Sequence, residues 1–430
     1  MRYFVSFVLA IMTVASAACA DDLPIVDIKT PHGITFSFYH SEVQSTVAVA
    51  LAFKGGLASD DPSGPATGLI APTLLTAGAG GQSSAELFEL FQDVGGQFAV
   101  SSNPDQTYAT LSAPLKGIMG AAKLANLVLT KPDFPEMKVT QYREAFAQRL
   151  EEYLTYPDSK VQIAFSKAVS DPHPYQTFYN PSPASVRKVG RSDLASWIVR
   201  HITTDGIMVS VVGNLTSAEA ATIVDQMLDR LPAQTELADT PNMVFKPASA
   251  LPIALTIGTG DQAVLMMGAA LPFDRNLEEW TATSLLSTIF SGDQKSRLFK
   301  DIREATGSTY GLQPMANFYE VAMFNSIYGR LAKNDVEKTV QLIKSSWDVY
   351  RTKGPTDIEI ANAKASMTRY LGDLSRSHVA MAGYIRDYLT GHWTTEQLSK
   401  LPSMVEHINL KDPALLARLF PPNPVIVIAQ

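Results

Sequence analysis

The sequence has few of the side chains from which metal sites and nucleophile sites are usually built. Its 430 residues include one cysteine, Cys19, and seven histidines. A single cysteine excludes an internal disulfide and a zinc site made of several thiolates. No two histidines lie three to five residues apart, so no helix can present two imidazoles to one ion on the same face. The sequence therefore excludes a helical two-histidine zinc site.

Signals for several other function classes are also missing. The net charge is −7 and no dense run of lysine or arginine occurs, which argues against nucleic-acid binding. There is no Gly-x-Ser-x-Gly nucleophile motif, and the glycine-rich stretch Ala77–Gly81 lacks the Lys-Ser/Thr ending of a phosphate-binding loop. After the first 20 residues, no segment reaches the roughly 18 consecutive apolar residues of a membrane-spanning helix. We therefore expect a globular protein without a transmembrane segment or a nucleotide site.

The first 20 residues have the composition of a secretory signal peptide. Arg2 precedes a short apolar run, and Ala18-Cys19-Ala20 forms a small-x-small cleavage pattern. We expect residues 1–20 to be removed and the mature protein to be periplasmic. Lipoprotein anchoring through Cys19 is the alternative, and Ser16 disfavours it because such signals usually carry leucine at that position.

Two similar patterns of strands and helices follow each other along the chain. Residues 233–251, rich in proline and small polar side chains, predict a linker between them. VAVALAFKGG and GLIAPTLLTAGAGG in the first half are echoed by AVLMMGAALPF and LEEWTATSLLSTIFSG in the second. A hydrophobic strand is predicted near the end of each half, at Val209–Val212 and at Val425–Ile428. We predict an α+β fold with two homologous α/β-sandwich domains, residues 21–232 and 252–430. Each domain is expected to be a mixed, mainly antiparallel sheet with helices packed on it, and together they would form half of a clamshell.

Local motifs predict where some of these elements begin and end. Turns at Pro31-His32-Gly33 and Asn103-Pro104-Asp105 are each flanked by alternating apolar residues, which is typical of hairpins. Ser83-Ser84 is expected to cap a helix over Ala85–Val94. His173, in DPHPY, is expected to cap or pack in a turn and not to bind a metal.

Four segments, in order along the chain, match the pattern of one known family. GLIAPTLLTAGAGG stands where that family has Gly-Leu-x-His-x-x-Glu-His and a glycine turn. FPEMKVTQYREAFAQRLEEYLTYPDSK matches its Phe-Pro-Glu helix, and the segment from DPHPY to VVGNLT follows its His-Pro-Tyr to Val-Val-Gly pattern. SRLFKDIREATGSTYGL matches a Ser-Arg-Leu-Phe segment with a later arginine, glycine and tyrosine. Over residues 25–430 the chain thus resembles the pitrilysin/insulinase family of zinc peptidases, in its short bacterial branch.

The resemblance implies a zinc site whose ligands this chain does not supply. The family binds zinc through two histidines four apart on a helix, with a glutamate between them as general base. Ala71 and Leu75 stand at the histidine positions and Leu74 at the general-base position. None of these side chains can bind zinc or accept a proton, so we expect no metal in this chain.

The family's distal glutamate ligand is expected to be missing as well. Its downstream acidic positions fall on three other residues, Tyr142, Gln148 and Arg149. Three carboxylates lie nearby, on Glu144, Glu151 and Glu152. A shift of register could bring one of them to the distal position, but it would not restore the histidines.

Arg303 and Tyr310, in DIREATGSTYGL, match a pair that the family keeps in its C-terminal domain. The resemblance implies that they face a zinc ion across a chamber, where they bind substrate backbone and stabilise the oxyanion. A guanidinium and a phenol are suitable donors for a carbonyl oxygen that gains negative charge. The alternative is that Arg303 pairs with a neighbouring acid on the helix surface and Tyr310 packs in the core.

The resemblance predicts a non-catalytic, substrate-binding subunit of a heterodimeric periplasmic zinc metallopeptidase. A homologous partner with an intact His-x-x-Glu-His would hold the zinc, and this chain would contribute Arg303 and Tyr310. It would also offer an edge strand to which an extended peptide or unfolded polypeptide could add. The alternative is a non-enzymatic peptide-binding or assembly protein with a degenerate peptidase fold.

Overall fold

In the computed structural model the described residues are 22–59, 65–176, 181–234, 236–245, 252–258, 260–273, 275–292, 294–306 and 312–430. The predicted signal peptide and Tyr310 lie outside them. Within these ranges, no helix combines the length and the apolar character that crossing a membrane requires.

The first half of the chain contains strands β1 to β8 and helices α1 to α8. The strands are β1 (Ile25–Lys29), β2 (Thr35–His40), β3 (Thr46–Lys54), β4 (Gly78–Ala79), β5 (Gln82–Ser83), β6 (Gln97–Ser102), β7 (Gln106–Pro114) and β8 (Met208–Gly213). The helices are α1 (Pro65–Leu74), α2 (Ser84–Asp93), α3 (Ile118–Thr130), α4 (Glu136–Tyr153), α5 (Pro157–Ser170), α6 (Pro183–Val186), α7 (Arg191–His201) and α8 (Ser217–Leu228). A 3₁₀ turn, Leu75–Ala77, follows α1.

The second half repeats this order with fewer strands. Its strands are β9 (Ile253–Leu255), β10 (Gln262–Leu271), β11 (Gln313–Phe318), β12 (Met323–Ala332) and β13 (Val425–Ala429). Its helices are α9 (Leu277–Ser291), α10 (Arg297–Thr306), α11 (Val336–Lys353), α12 (Asp357–Leu374), α13 (His378–Thr390), α14 (Thr395–Ser399), α15 (Leu401–His407) and α16 (Pro413–Leu419). A second 3₁₀ turn, Lys333–Asp335, precedes α11.

The two main sheets have the same topology. The first has the order β1-β2-β8-β3-β7-β6 and the second β11-β12-β10-β13-β9. Read in reverse, the second sheet places β9, β13, β10, β12 and β11 where the first has β2, β8, β3, β7 and β6. In both sheets one parallel pair, β2 with β8 or β9 with β13, adjoins antiparallel pairs. The predicted α+β fold with two homologous sandwiches is therefore confirmed.

Each half covers the sheet of the other half with one of its helices. Helix α5 packs Phe165, 1% exposed, against β10 and β13 of the second sheet. Helix α13 packs Ile385, 0% exposed, against β3 and β8 of the first, where the Ser210 hydroxyl donates to the Ala382 carbonyl at 2.6 Å. The other faces of the sheets carry their own half's helices. Because both faces are covered, β3 is buried along almost its whole length and reads as a continuous apolar run.

The predicted local motifs have physical counterparts. The Ser83 hydroxyl accepts from the Glu86 amide at 3.3 Å, and the Glu86 carboxylate accepts from the Ser83 amide at 2.8 Å, which forms a capping box for α2. Both predicted hairpins form, β1 with β2 and β6 with β7. Among the described residues β6 is the last strand of its sheet, so this second hairpin has one backbone edge that no other described strand pairs with.

Candidate functional site

Helix α1 and the first residue of the 3₁₀ turn after it carry the three positions at which the resemblance would place metal-site residues, and all three are core positions. Ala71 and Leu75 are 0% exposed and Leu74 is 2% exposed. All belong to the hydrophobic cluster between the first sheet and its own helices. Their side chains add apolar contacts and offer no donor or acceptor. The residues present therefore do not fit a zinc ion.

A tight glycine turn fixes the end of α1 against the loop before α4. Gly80 and Gly81 have positive φ values of 59° and 82°, which glycine adopts at little cost. The Gly81 amide donates to the Asp133 carboxylate at 2.8 Å, and the Asp133 amide donates to the Gly78 carbonyl at 2.8 Å. The turn thus keeps α1 and α4 in contact, although the two helices supply no ligands for a zinc ion between them.

Helix α4 presents an aromatic and cationic surface where the distal ligand would be expected. Tyr142, half-buried, stacks on Phe146 with ring centroids 5.9 Å apart. The Arg149 guanidinium lies 5.9 Å from the first ring and 5.7 Å from the second. Gln148 is exposed. This arrangement is held by stacking and cation–π contacts, and it contains no acidic group.

The carboxylates that a shifted register could recruit are engaged elsewhere. Arg187 binds Glu151 through two bonds of 2.6 and 3.0 Å and binds Glu144 at 3.1 Å. These hydrogen bonds hold the pKa of Glu151 below its ordinary value. Glu152 is exposed at the end of the helix. Across the described ranges, no group of three or more His, Cys, Asp or Glu side chains is arranged to hold a metal ion.

Arg303 lies near the end of α10 with its side chain exposed. Its guanidinium forms no ion pair with any acid in the described part of the chain, so the expected alternative, a surface pair with a neighbouring acid, is not observed there. Tyr310 lies outside the described residues, and the geometry of the pair is therefore not defined. Their predicted joint role stays a prediction.

The sequence reasoning missed a buried carboxylate at the junction of the two halves. Asp105, in the β6–β7 turn, is 3% exposed. It accepts from the Tyr175 hydroxyl at 2.8 Å and from the Glu320 amide of the β11–β12 turn at 2.9 Å. Burial raises its pKa to about 6, and these hydrogen bonds oppose the rise. The Asn-Pro-Asp pattern predicted the turn, but nothing in it signals that the aspartate is buried by a second half far along the chain.

His173 stabilises this junction through hydrogen bonds to two neighbouring segments of the chain. It is 6% exposed, and its Nδ1 accepts from the Tyr175 amide at 3.2 Å while its Nε2 donates to the Pro241 carbonyl at 2.7 Å. Burial lowers its pKa, which favours the neutral ring that these two bonds require. Its expected role as a packed residue in a turn agrees with these contacts, which also tie the connecting segment to the first half.

A cavity of about 590 Å³ adjoins Asp105 between the halves. Two residues on its wall, Arg275 and His392, have positive φ values of 53° and 60°, which are uncommon for residues with a Cβ. The Arg275 guanidinium binds the Glu320 carboxylate at 3.0 Å, and Lys54 binds Asp239 at 2.9 Å. Residues with positive φ, paired charges and a buried acid lie together at one cleft, which makes this cleft a candidate binding site.

Fold and site together define a duplicated α+β protein of peptidase-like architecture in which the metal-site helix carries no metal ligands. Residues 188–367 match the family model described as the peptidase M16 inactive domain. An uncharacterized zinc protease of Rickettsia bellii is 20% identical over 369 residues, covering 83% of this chain and 88% of that protein. The non-peptidase homolog YmxG of Helicobacter pylori is 21% identical over 381 residues, covering 84% and 82%.

A crystal structure of a peptidase M16 inactive domain from Pseudomonas fluorescens has the same fold. It superposes with a TM-score of 0.75 at 22% identity and covers 95% of this chain and 98% of that chain. The resemblance inferred from the sequence is therefore confirmed: the chain is similar to the pitrilysin/insulinase (M16) family, and its matches are those of a non-catalytic M16-like protein.

Proposed function

We propose that this chain is the non-catalytic, substrate-binding subunit of a heterodimeric zinc metallopeptidase. The observation that carries the proposal is the state of α1, which keeps its place beside α4 and β6 while Ala71, Leu74 and Leu75 are sealed in the core. A fold retained around a helix without ligands suits a subunit that shapes a peptide chamber while another chain performs hydrolysis. The match to the inactive domain of the family supports this division.

Arg303 is the side chain through which this chain would act on the reaction. An exposed guanidinium with no acidic partner among the described residues is available to a group outside the chain. With Tyr310 it would donate to the substrate carbonyl at a zinc site on the partner, as the resemblance implies. The zinc would therefore belong to the homologous partner, and this chain would supply donors and no metal ligand.

Strand β6 offers a way to hold an extended substrate. It is an edge strand, and its residues alternate between half-buried and exposed. Phe98 and Val100 pack against the core, while Gln97, Ala99 and Ser101 are exposed on the opposite face. A peptide that pairs with the free edge gains backbone hydrogen bonds independent of its sequence, which suits a protein that accepts unfolded polypeptide.

Reconstitution with a partner that carries an intact His-x-x-Glu-His tests the proposal. The chain alone should bind no stoichiometric zinc and cleave nothing, whereas the mixture should cleave an unfolded polypeptide. Arg303→Ala and Tyr310→Phe should each reduce kcat by about 10²-fold or more, because a lost oxyanion donor typically has an effect of that size. Arg376→Ala, which removes an exposed arginine of the same half, is the matched control. Cleavage by the isolated chain, or full activity of both variants, would refute the proposal.

A second candidate function is a peptide-binding or assembly protein with no hydrolytic partner. The name non-peptidase homolog, given to the Helicobacter pylori relative, favours it. Affinity capture of the tagged chain from its native envelope distinguishes the two: recovery of an M16 peptidase supports the heterodimer, and repeated recovery of other proteins without one supports the second candidate. In either case we propose export to the periplasm, from the composition of residues 1–20.

A further inference from the structure

A second cavity, of about 580 Å³, lies on the other side of the Asp105 junction. Its walls come from both halves: the β6–β7 hairpin, strand β11 with its following turn, and the C-terminal end of α13. The two cavities share Asp105, Gln106, Arg275 and Glu320, so these residues form the partition between them. Since β11 is the last strand of the second sheet within the described ranges, one wall of the cavity borders a strand edge that no other described strand pairs with.

Aromatic rings form a large part of the wall of this cavity. Six aromatic side chains line it: Tyr108, Phe273, Trp280, Phe318, Tyr319 and Trp393. Several of these rings pack against one another in a continuous series. The ring centroid of Trp280 lies 5.3 Å from that of Phe318 and 5.5 Å from that of Trp393, in tilted or edge-on geometry. The mutual packing fixes the ring orientations in advance, so a guest ring meets a preformed surface.

The charged groups around the cavity already have partners: the Asp105 carboxylate accepts two hydrogen bonds, and the other charged side chains form ion pairs. Arg386 binds Asp387 at 2.7 Å and its guanidinium lies 4.3 Å from the centroid of the Tyr108 ring. Arg275 binds Glu320 at 3.0 Å on the partition. A charged guest would lose hydration without finding a free counter-charge among these pairs. A neutral guest with a large apolar surface avoids this cost.

We propose that this cavity, called here the aromatic pocket, binds a bulky aromatic side chain of an extended peptide. The proposal rests on the peptide-binding role proposed above and adds a preference to it: segments with tryptophan or phenylalanine are selected over segments with small residues. The volume of the cavity is within the range of ligand pockets, and it is larger than a single side chain requires. An extended peptide along the rim can therefore insert a ring while its backbone remains outside.

Calorimetric titration of the mature chain with four neutral peptides tests the preference. The peptides are acetylated and amidated, have the sequence Ser-Ala-X-Ala-Ser, and carry Trp, Phe, Leu or Ala as X. We expect Trp and Phe to bind at least about tenfold more tightly than Ala, since a buried ring removes roughly 150–250 Å² from water. Equal affinities, or no binding by any of the four, would overturn the proposal.

Two substitutions fill the pocket from different walls. Ala316→Trp on β11 and Thr390→Trp at the end of α13 each place an indole in the space that the guest ring would occupy. Ala361→Trp on α12 is the matched control, an exposed alanine of the same half outside the lining of this cavity. The folded filling variants should lose the preference for Trp and Phe, and the control should keep it. Retained preference in either folded filling variant, or loss in the control, would contradict the proposal.

Failure of the pocket and failure of the proposed function give different results. If the reconstituted pair cleaves polypeptide but the four peptides bind equally, the pocket is wrong and the heterodimer stands. If the reconstituted pair is inactive while the aromatic preference is observed and blocked by Ala316→Trp, the pocket stands and the hydrolytic role falls.

Discussion

The free energy of unfolding of the wild-type protein should fall as the pH rises through the weakly acidic range, because Asp105 then loses its proton. Replacing Asp105 by asparagine should remove this contribution. Asp105 is almost fully buried and its pKa is raised from 3.8 to about 6, with burial as the largest cause. The folded protein therefore holds a proton that the unfolded chain releases near pH 4. Between these values the folded state binds more protons, so the free energy of unfolding falls as pH increases.

The size of the effect follows from the shift of about two pKa units. Each unit corresponds to 1.36 kcal/mol, so Asp105 stabilises the folded state by about 3 kcal/mol less at neutral pH than below pH 4. About 2 kcal/mol of this difference falls between pH 4.5 and 7.5. Asparagine is uncharged like the protonated acid, and its carbonyl oxygen can accept from Tyr175. Its Nδ2 cannot accept from the Glu320 amide, and this lost bond lowers the stability by an amount that does not depend on pH. The variant should therefore lack this pH dependence.

Urea unfolding of the wild type and Asp105→Asn at pH 4.5, 6 and 7.5 measures the difference. Other groups titrate in this range, so the informative quantity is the free energy of unfolding of the wild type minus that of the variant, which should fall by about 2 kcal/mol. Asp373→Asn, at an exposed position, should show no such trend and serves as the control. A difference that stays constant with pH would refute the reasoning, and so would one that rises.

Two further outcomes test the fold and the sealed metal-site positions. The triple variant Ala71→His, Leu74→Glu, Leu75→His should bind no stoichiometric zinc and should unfold at a lower temperature, because it buries polar groups at a cost of at least about 2 kcal/mol while the distal ligand is still missing. Tight zinc binding by metal analysis would show that the helix had kept a usable site. Phe165→Ala on α5 should cost about 3–5 kcal/mol and should increase amide exchange in β10 and β13 of the other half. Loss of protection confined to the first half would contradict the reciprocal packing of α5 and α13.

The duplicated fold could be predicted from the sequence because its signals are local. The long apolar run of β3, the Ser83–Glu86 capping box and the turns at Gly33 and Asn103 each depend on a few adjacent residues. The missing zinc ligands at Ala71, Leu74 and Leu75 could be identified in the same way, since a ligand is a matter of residue type. The pattern alone thus indicated the class of the protein and the absence of zinc ligands at these three positions.

The reciprocal helices and the junction could not be predicted, because they depend on which surfaces meet. The apolar face of α5 shows that the helix is covered but does not say which sheet covers it. Asp105 and Glu320 are 215 residues apart, and their contact follows from the docking of two hairpin turns. The aromatic pocket has the same origin, since its rings come from segments separated by hundreds of residues.

The location of the candidate sites also says where peptide contacts on this chain should be sought. The α1 region is closed, because its three key side chains are buried and the neighbouring acids Glu144 and Glu151 bind Arg187. Strands β6 and β11 lie at the edges of the two sheets in the described part of the chain, and cavities lie at the junction between the halves. The missing zinc ligands therefore affect the α1 region alone, and the surfaces that could hold a substrate lie elsewhere. Hydrolysis by the proposed pair and peptide binding by this chain are therefore separate properties, and the experiments above measure them separately.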